Sequence, residues 1–447
     1  MSGLADAFHA QRRGARVRVL EAAPEVGGVI GTYAKDGYRF ERAATSLPSS
    51  ARDVMALLAA LGREDVLMPA SEAAKSQYLL TPHGLERVPR SPPSLLRTRL
   101  LTLRGKLRAL GELVRGRDVP PPGETLFDFV ARRFGHEIAD GFLRPFTNGI
   151  YGCAPERLGA ADAFPKLVAL EQRRGGVLRG LMAGGLGGSA SAQPKQKRQV
   201  LMPVDGMAAV PRAVAETLGD AVETGVEVAR IEPGSVDAPA RVHTADGRTL
   251  EAETLVLATR ASAQATLLEA SHPEQAGVLA AVTYVPMVVC AVGYPRGKGP
   301  DLPEGFGFLR GPKSDARILG ATFNSRLNPA VAPEGGSLLT AFIGGSEDTA
   351  AVDLDDDTLR STVLADLARA LGAPIEPALF EVTRWRGAIP MFAPGHRARM
   401  AAANAALGDA RIHLLGSHVT GVSLNDCCRP GAPVLGPLPS GLARIDA

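Results

Sequence analysis

Residues 2–13 set Leu4, Phe8 and Gln11 at helical spacing with alanines between them, which predicts a helix that Gly14 ends. The following RVRVLE brings Val17, Val19 and Leu20 into a short strand closed by Glu21. Helical spacing returns at Asp53–Leu61, Leu95–Val114, Thr125–Phe134, Glu137–Leu143, Asp205–Leu218 and Asp356–Leu371. Alternation predicts strands at Val222–Ile231 and Arg241–Thr244, and the short apolar runs Thr254–Ala258 and Arg411–Gly416 suit buried parallel strands. Several strand-like runs fill the stretch from about 280 to 345. Gln275–Pro295 is uncharged and long enough to raise the question of a membrane span, but Pro286 interrupts it and its second half is β-branched and aromatic. It predicts a helix end followed by a buried strand. Leu181–Gln199, rich in Gly and Ser and then basic, reads as a mobile surface loop.

This order predicts an α/β chain with one discontinuous nucleotide domain (1–50, 200–270 and 380–447). A largely helical insertion (51–199) and an α+β domain (271–379) interrupt it. The opening reads as the second half of a β-α-β nucleotide unit. Gly3 lets its helix pack closely on the sheet, Glu21 accepts hydrogen bonds from the adenosine ribose, and Gly27-Gly28 lets backbone pass close to the ligand. The first strand and first two glycines of such a fingerprint would precede Met1, so the reading frame is expected to extend upstream.

With 50 Lys+Arg against 47 Asp+Glu, the chain is neither a strongly basic nucleic-acid binder nor an acidic disordered protein. Its 447 residues at 45% hydrophobic content suffice for a large core over two or three domains. Four cysteines without C-x-x-C spacing, and no His pair at ligand spacing, predict no metal site and no disulfide framework, and fit a reducing cytoplasm. Seven basic residues against one acid interleave with leucines over Leu95–Arg117, a pattern open to two readings: a helix lying on an anionic bilayer, or a solvated helix over a core.

Seven stretches resemble the protoporphyrinogen oxidase family, in its order and over nearly the whole chain. They are VPRSPPSLL (88–96), FLRPFTNGIYGCAPERLGAADAFPKLVALE (142–171), GFGFL (305–309), LGATFNS (319–325), TAFIGG (340–345), RWRGAIPMFAPGH (384–396) and GSHVTGVSLNDC (416–427). The resemblance implies a Rossmann-like FAD-binding domain, an α+β substrate domain and a helical membrane-facing insertion. It implies noncovalent FAD, a porphyrinogen substrate (protoporphyrinogen IX or coproporphyrinogen III, in haem synthesis) and oxygen as acceptor. It leaves a homodimer and a peripheral contact with the cytoplasmic membrane open. The flavin carries the redox chemistry, so no catalytic side chain is expected, and His396, His413 and His418 are read as structural. An amine oxidase, a carotenoid desaturase and an inactive relic with impaired FAD binding are the alternatives.

Carried over by position, the cofactor-binding residues are Gly3, Glu21, Gly27, Gly28, Val29, Thr45, Ser46, Val228, Trp385, Val422, Ser423 and Leu424. Leu309, Thr322 and Phe342 fall where the family clamps the macrocycle, and Gly149 where a carbonyl approaches the pyrroles. One cavity is expected to join Glu21 and Val422 to Leu309 and Phe342. The family's propionate-binding arginine aligns with Glu86, so the neighbouring Arg87 is the expected carboxylate partner. Other departures are Ala43-Ala44-Thr45-Ser46 in place of G-P-N-S, Met391-Phe392 in place of Q-Y, and a proline-rich tail after Cys427 that forbids the family's helix.

Overall fold

The computed structural model describes residues 1–89, 94, 97–183, 199–235 and 237–429. Most of the predicted glycine-rich loop and the proline-rich tail lie outside the described residues. Ser2–Arg12 forms helix α1, which buries Leu4, Ala5 and Phe8. A Cβ at Gly3 would lie 2.9 Å from Ala258 Cβ, so only glycine lets α1 close this tightly on the sheet. Strand β1 (Val19–Glu21) follows, then a hairpin of β2 (Thr32–Lys35) and β3 (Tyr38–Glu41). Asp36 and Gly37 turn that hairpin with positive φ at both central positions, the form that matches strand twist. Helix α2 (Arg52–Ala60) packs Val54, Leu57 and Leu58 into the core beneath α1.

Strands β4 (Tyr78–Thr81) and β5 (Gly84–Arg87) precede the helical insertion, which holds α3 (Leu103–Leu110), α4 (Leu126–Phe134), α5 (Arg144–Tyr151) and α6 (Pro165–Arg174). The continuous helix predicted over Leu95–Val114 is not formed, because residues 99–101 bend and α3 starts at Leu103. Thr102 caps α3 by accepting from Gly105 N, and its hydroxyl donates to Glu137 at 2.7 Å, so the chain is pinned at the break. Inside the insertion Arg133, fully buried, is held by Glu112 and Glu171, and Arg132 by Glu124 and Glu171.

Helix α7 (Ala209–Leu218) begins four residues later than predicted. Gly206 sits at φ 89°, and the N–H groups of Met207 and Ala208 go to Glu41 and the Thr32 hydroxyl instead. Strand β6 (Val222–Thr224) pairs in parallel with β1, and β7 (Leu255–Leu257) pairs in parallel with a late strand described below. Helix α8 (Pro273–Ala280) and strand β8 (Tyr284–Tyr294) realise the predicted helix end and buried strand, and no described helix is long and apolar enough to cross a membrane. Then come β9 (Gly307–Arg310), β10 (Ile318–Thr322), β11 (Ser337–Gly344), helix α9 (Asp356–Leu371), β12 (Leu379–Pro390), helix α10 (His396–Ala406), β13 (Ile412–Leu414), which is the partner of β7, and α11 (Leu424–Cys428).

A seven-stranded sheet, in the order β12-β8-β11-β10-β9-β4-β5, dominates the second half. One face packs Val288, Cys290, Val292, Leu339 and Ile343 against Leu359, Val363 and Leu367 of α9. The sheet redraws two expected boundaries. β4 and β5 leave the supposedly helical 51–199 segment to extend its edge, and β12, placed by sequence in the nucleotide domain, pairs with β8 over nearly its whole length. Backbone pairing decides membership here, and hydrophobic pattern alone cannot reveal the partner strand.

Candidate active site

Glu21, expected to meet the adenosine ribose, stands at the tip of β1. Ala23 N donates to the Glu21 carboxylate at 3.0 Å, which fixes its orientation, and Val226 N donates to the Glu21 carbonyl at 2.9 Å. Val228 therefore follows two residues behind a backbone bond to Glu21. Gly27 and Gly28 adopt φ 113° and 66°. A Cβ on Gly27 would meet Ile30 O at 2.8 Å and Pro211 of α7 at 3.0 Å, whereas one on Gly28 would meet nothing within 4 Å. The turn is thus pressed on α7 on one side and open on the other, with Val29 half-buried behind it. A carboxylate at a strand tip beside an open glycine turn fits the adenosine end of FAD. At the head of α1 the Met1 amino group is buried near Cys427 and Cys428, and burial lowers its pKa.

The residues expected beside the flavin come from three separate segments. Thr45 is buried and Ser46 half-buried after β3. Trp385 Nε1 donates to the Arg42 carbonyl at 2.8 Å, tying β12 to the same segment. At the C-terminal turn Ser423 caps α11 by accepting from Asp426 N, and the Leu424 side chain lies in the core with α1, α2 and α7. Any contact of Ser423 and Leu424 with a flavin therefore runs through backbone. Val422 borders a cavity of about 20 Å³ with Tyr151, Ala163, Phe392, Arg397, Gly421 and Asp426. That is far too small for a tricyclic ring, and Leu309 is not among its lining residues. Helix α5 reaches both Val422 and Leu309: its Tyr151 lines the same small cavity as Val422, and its Gly149 touches Leu309.

A buried polar network holds this turn. His418 Nε2 meets Gln264 Oε1 at 3.0 Å, His396 Nε2 donates to the His418 carbonyl at 2.6 Å, and the two N–H groups of the Gln264 amide are shared among the backbone carbonyls of Leu257, Thr259 and Leu415. Burial pushes the His418 imidazole down to about 4 and lowers His396 and His413 as well. All three are neutral near neutral pH, and the geometry of His396 and His418 is that of structural residues.

The inner face of the seven-stranded sheet brings the predicted substrate residues into one place. In register, Leu309 lies opposite Gly320, Gly320 opposite Phe342, and Phe342 opposite Val289. Thr322 lies opposite Thr340 in the next row, where the Thr340 hydroxyl is buried without a partner among the described residues. Met287 lies opposite Trp385, and Met287, Val289, Leu319, Phe342 and Trp385 form one apolar cluster. A Cβ at Gly149 would lie 2.2 Å from Leu309 Cδ2, so the α5 backbone rests directly on this row.

Arg87 is separated from it. Strand alternation places Arg87 opposite Tyr78, and Tyr78 opposite Phe308, both packed on the α9 face, and the Arg87 guanidinium donates to Ser76. Glu86, opposite Leu79, shares the row of Leu309. Sequence reasoning also passed over Glu41. Its carboxylate accepts from the Thr32 hydroxyl at 2.7 Å and from Met207 N at 3.1 Å, and burial pushes its pKa up to about 7. In sequence Glu41-Arg42 looks like a solvated charge pair, and nothing in the pattern marks its burial. No group of described residues has the His, Cys and carboxylate arrangement that could hold a metal ion.

The model of the flavin-containing amine oxidoreductases matches residues 1–432. Coproporphyrinogen III oxidase of Bacillus subtilis (strain 168) is 27% identical, with 96% of this chain and 94% of that protein aligned. Chloroplastic protoporphyrinogen oxidase of Oryza sativa subsp. japonica is 30% identical, over 92% of this chain and 81% of its own length. A crystal structure assigned as a protoporphyrinogen oxidase of Exiguobacterium sp. 255-15 superposes with a TM-score of 0.80 at 23% identity, covering 96% of this chain and 94% of that one. The chain belongs to the flavin-containing amine oxidoreductase family and is an FAD-dependent oxidoreductase of Rossmann-like fold.

Proposed function

We propose that this protein oxidises a porphyrinogen, protoporphyrinogen IX or coproporphyrinogen III, to the porphyrin, with oxygen as the final acceptor. The observation that carries this reading is the row Leu309, Gly320, Phe342 and Val289 with Gly149 resting on it. Apolar walls and a bare backbone suit a flat, largely apolar macrocycle. The names of the relatives support the same substrate class.

FAD, when bound, supplies the hydride-accepting ring that makes acid–base side chains unnecessary. The chain's own part is positioning. Phe342, Leu309 and Val289 exclude water from the ring faces, Gly149 lets α5 approach without a side chain, and the cap of Ser423 holds the turn at Val422. An aromatic cage for an amine finds little support: the rings of Tyr33 and Trp385 are both already occupied by the Arg42 guanidinium.

A peripheral contact with an anionic membrane, on the cytoplasmic side, is part of the proposal. It is supported by α3 and the segment after it, where Leu103 and Leu107 are 73% and 62% exposed and Val114 and Val119 are exposed too, on a chain segment rich in Arg and Lys. The test of the activity is direct. FAD-loaded protein should convert one or both porphyrinogens to fluorescent porphyrin faster than air does, with oxygen consumed in step. Rates equal to the protein-free control for both substrates would refute the reading.

A further inference from the structure

With Arg87 on the opposite face of the sheet, the apolar row needs another group for the carboxylates that any porphyrinogen of this pathway step carries. Arg42 has the required features. It follows β3, and its N–H donates to the Gly31 carbonyl at 2.8 Å, so the residue sits directly across from the end of the glycine turn. A Cβ on Gly31 would lie 2.5 Å from Arg42 Cδ: the glycine leaves the space through which the arginine stem runs. The guanidinium carbon then stands 4.9 Å from the centre of the Trp385 ring and 5.6 Å from that of Tyr33. Trp385 belongs to the cluster that contains Phe342 and Met287, whereas Tyr33 is 46% exposed. The cation is thus held at the boundary between solvent and the apolar row.

Part of its hydrogen-bonding capacity is unmet among the described residues. Arg42 Nε is buried without a partner among the described residues, and no described carboxylate pairs with the guanidinium. The carboxylates on the adjoining strands are engaged elsewhere: Glu41 by Thr32 and Met207, Glu381 by Lys35. Arg310, next to Leu309 in sequence, is already neutralised by Glu347 and Arg144 of α5 by Asp140 and Glu156, while Arg384 lies on the α9 face with Asp356. A buried N–H left unpaired costs free energy that an incoming acceptor recovers. A planar guanidinium already held against two rings has little freedom left to lose on forming a bidentate pair.

We propose that Arg42 receives a propionate of the tetrapyrrole at the mouth of the apolar row and so sets which edge of the macrocycle enters first. The proposal rests on the porphyrinogen reading above. It is tested by equilibrium binding of the oxidised products, coproporphyrin III and protoporphyrin IX, to FAD-loaded protein, followed by porphyrin absorbance and fluorescence. The coproporphyrin tetramethyl ester, which has the same ring and no negative charge, is the control. Arg42→Gln should weaken the free acids about 10- to 100-fold, the range of charge-assisted hydrogen bonds, and leave the ester unchanged. Arg42→Lys should restore part of the difference. Wild-type protein that binds the porphyrins, with both variants binding acid and ester as the wild type does, overturns the proposal and leaves the porphyrinogen reading intact. A rise in the FAD dissociation constant without any change in porphyrin binding also overturns it, assigning the cation to the cofactor's own oxygens. Wild-type protein that binds no porphyrin at all defeats both.

Discussion

Gly149 carries more of the account than its size suggests, because the only space for a side chain there is already filled by Leu309 Cδ2. Gly149→Ala should push α5 off the row, weaken porphyrin binding, and cost about 1–3 kcal/mol of stability through overpacking. Adding Leu309→Ala should return the stability in part, because the methyl then has room; porphyrin titration and urea unfolding of both variants check this. Glu21→Ala should raise the FAD dissociation constant by about 2 kcal/mol, the scale of one charge-assisted hydrogen bond to a ribose hydroxyl. Flavin fluorescence titration measures it, and an unchanged constant removes Glu21 from the site. The close packing at Gly3 was legible in sequence as a backbone demand and Glu21 as a strand tip, whereas Gly149 came from the family resemblance alone and its packing on Leu309 is seen only in the fold. Arg42 and Arg87 were not legible, since strand alternation decides which face a guanidinium serves, and a one-residue offset exchanges the faces.

Among elements, the turn at 416–423 depends on two neutral imidazoles. His418 is held down to about 4, below its ordinary 6.5, mainly by burial. A depressed histidine gives stability that is present above pH 6.5 and lost as pH falls toward 4, since only the unfolded chain takes up the proton across that window. The loss should approach about 3 kcal/mol. His418→Gln should flatten the decline of the melting temperature between pH 6.5 and 4, and an equally steep profile in the variant would exclude His418 as its source. Glu41 works in the opposite sense. Its raised pKa, caused first by burial, gives stability present below the ordinary carboxyl pKa of 4.5 and lost as pH rises through about 7. In the helical insertion, Arg133→Met would leave Glu112 buried without its ion-pair partner and leave Glu171 to Arg132 alone, at a cost of about 3–5 kcal/mol in denaturant unfolding. Elements with a strong local signal were readable: α9 forms over the predicted Asp356–Leu371, and α4 over the predicted Thr125–Phe134 except for Thr125 itself, which caps it. The break before α3 was not readable, because its cause, Glu137, stands 35 residues away.

For the whole molecule, the α/β order of segments and the strands β1, β7 and β13 follow from short apolar runs that sequence displays plainly, whereas their pairing, β1 with β6 and β7 with β13, is seen only in the fold. The seven-stranded sheet was less accessible, because β4, β5 and β12 join it across long stretches of chain. Yet that sheet does what the account requires, bringing Leu309, Thr322 and Phe342 to one face and joining them through Trp385 and α5 to the flavin-side segments. The central claim is that a reduced tetrapyrrole on this face delivers electrons to FAD. Anaerobic mixing of FAD-loaded protein with porphyrinogen, followed at the flavin absorbance band, tests it most directly. The account predicts bleaching of the flavin together with the rise of porphyrin absorbance, and no bleaching by putrescine or cyclohexylamine. A flavin that stays oxidised with porphyrinogen, or is bleached by an amine instead, would contradict it.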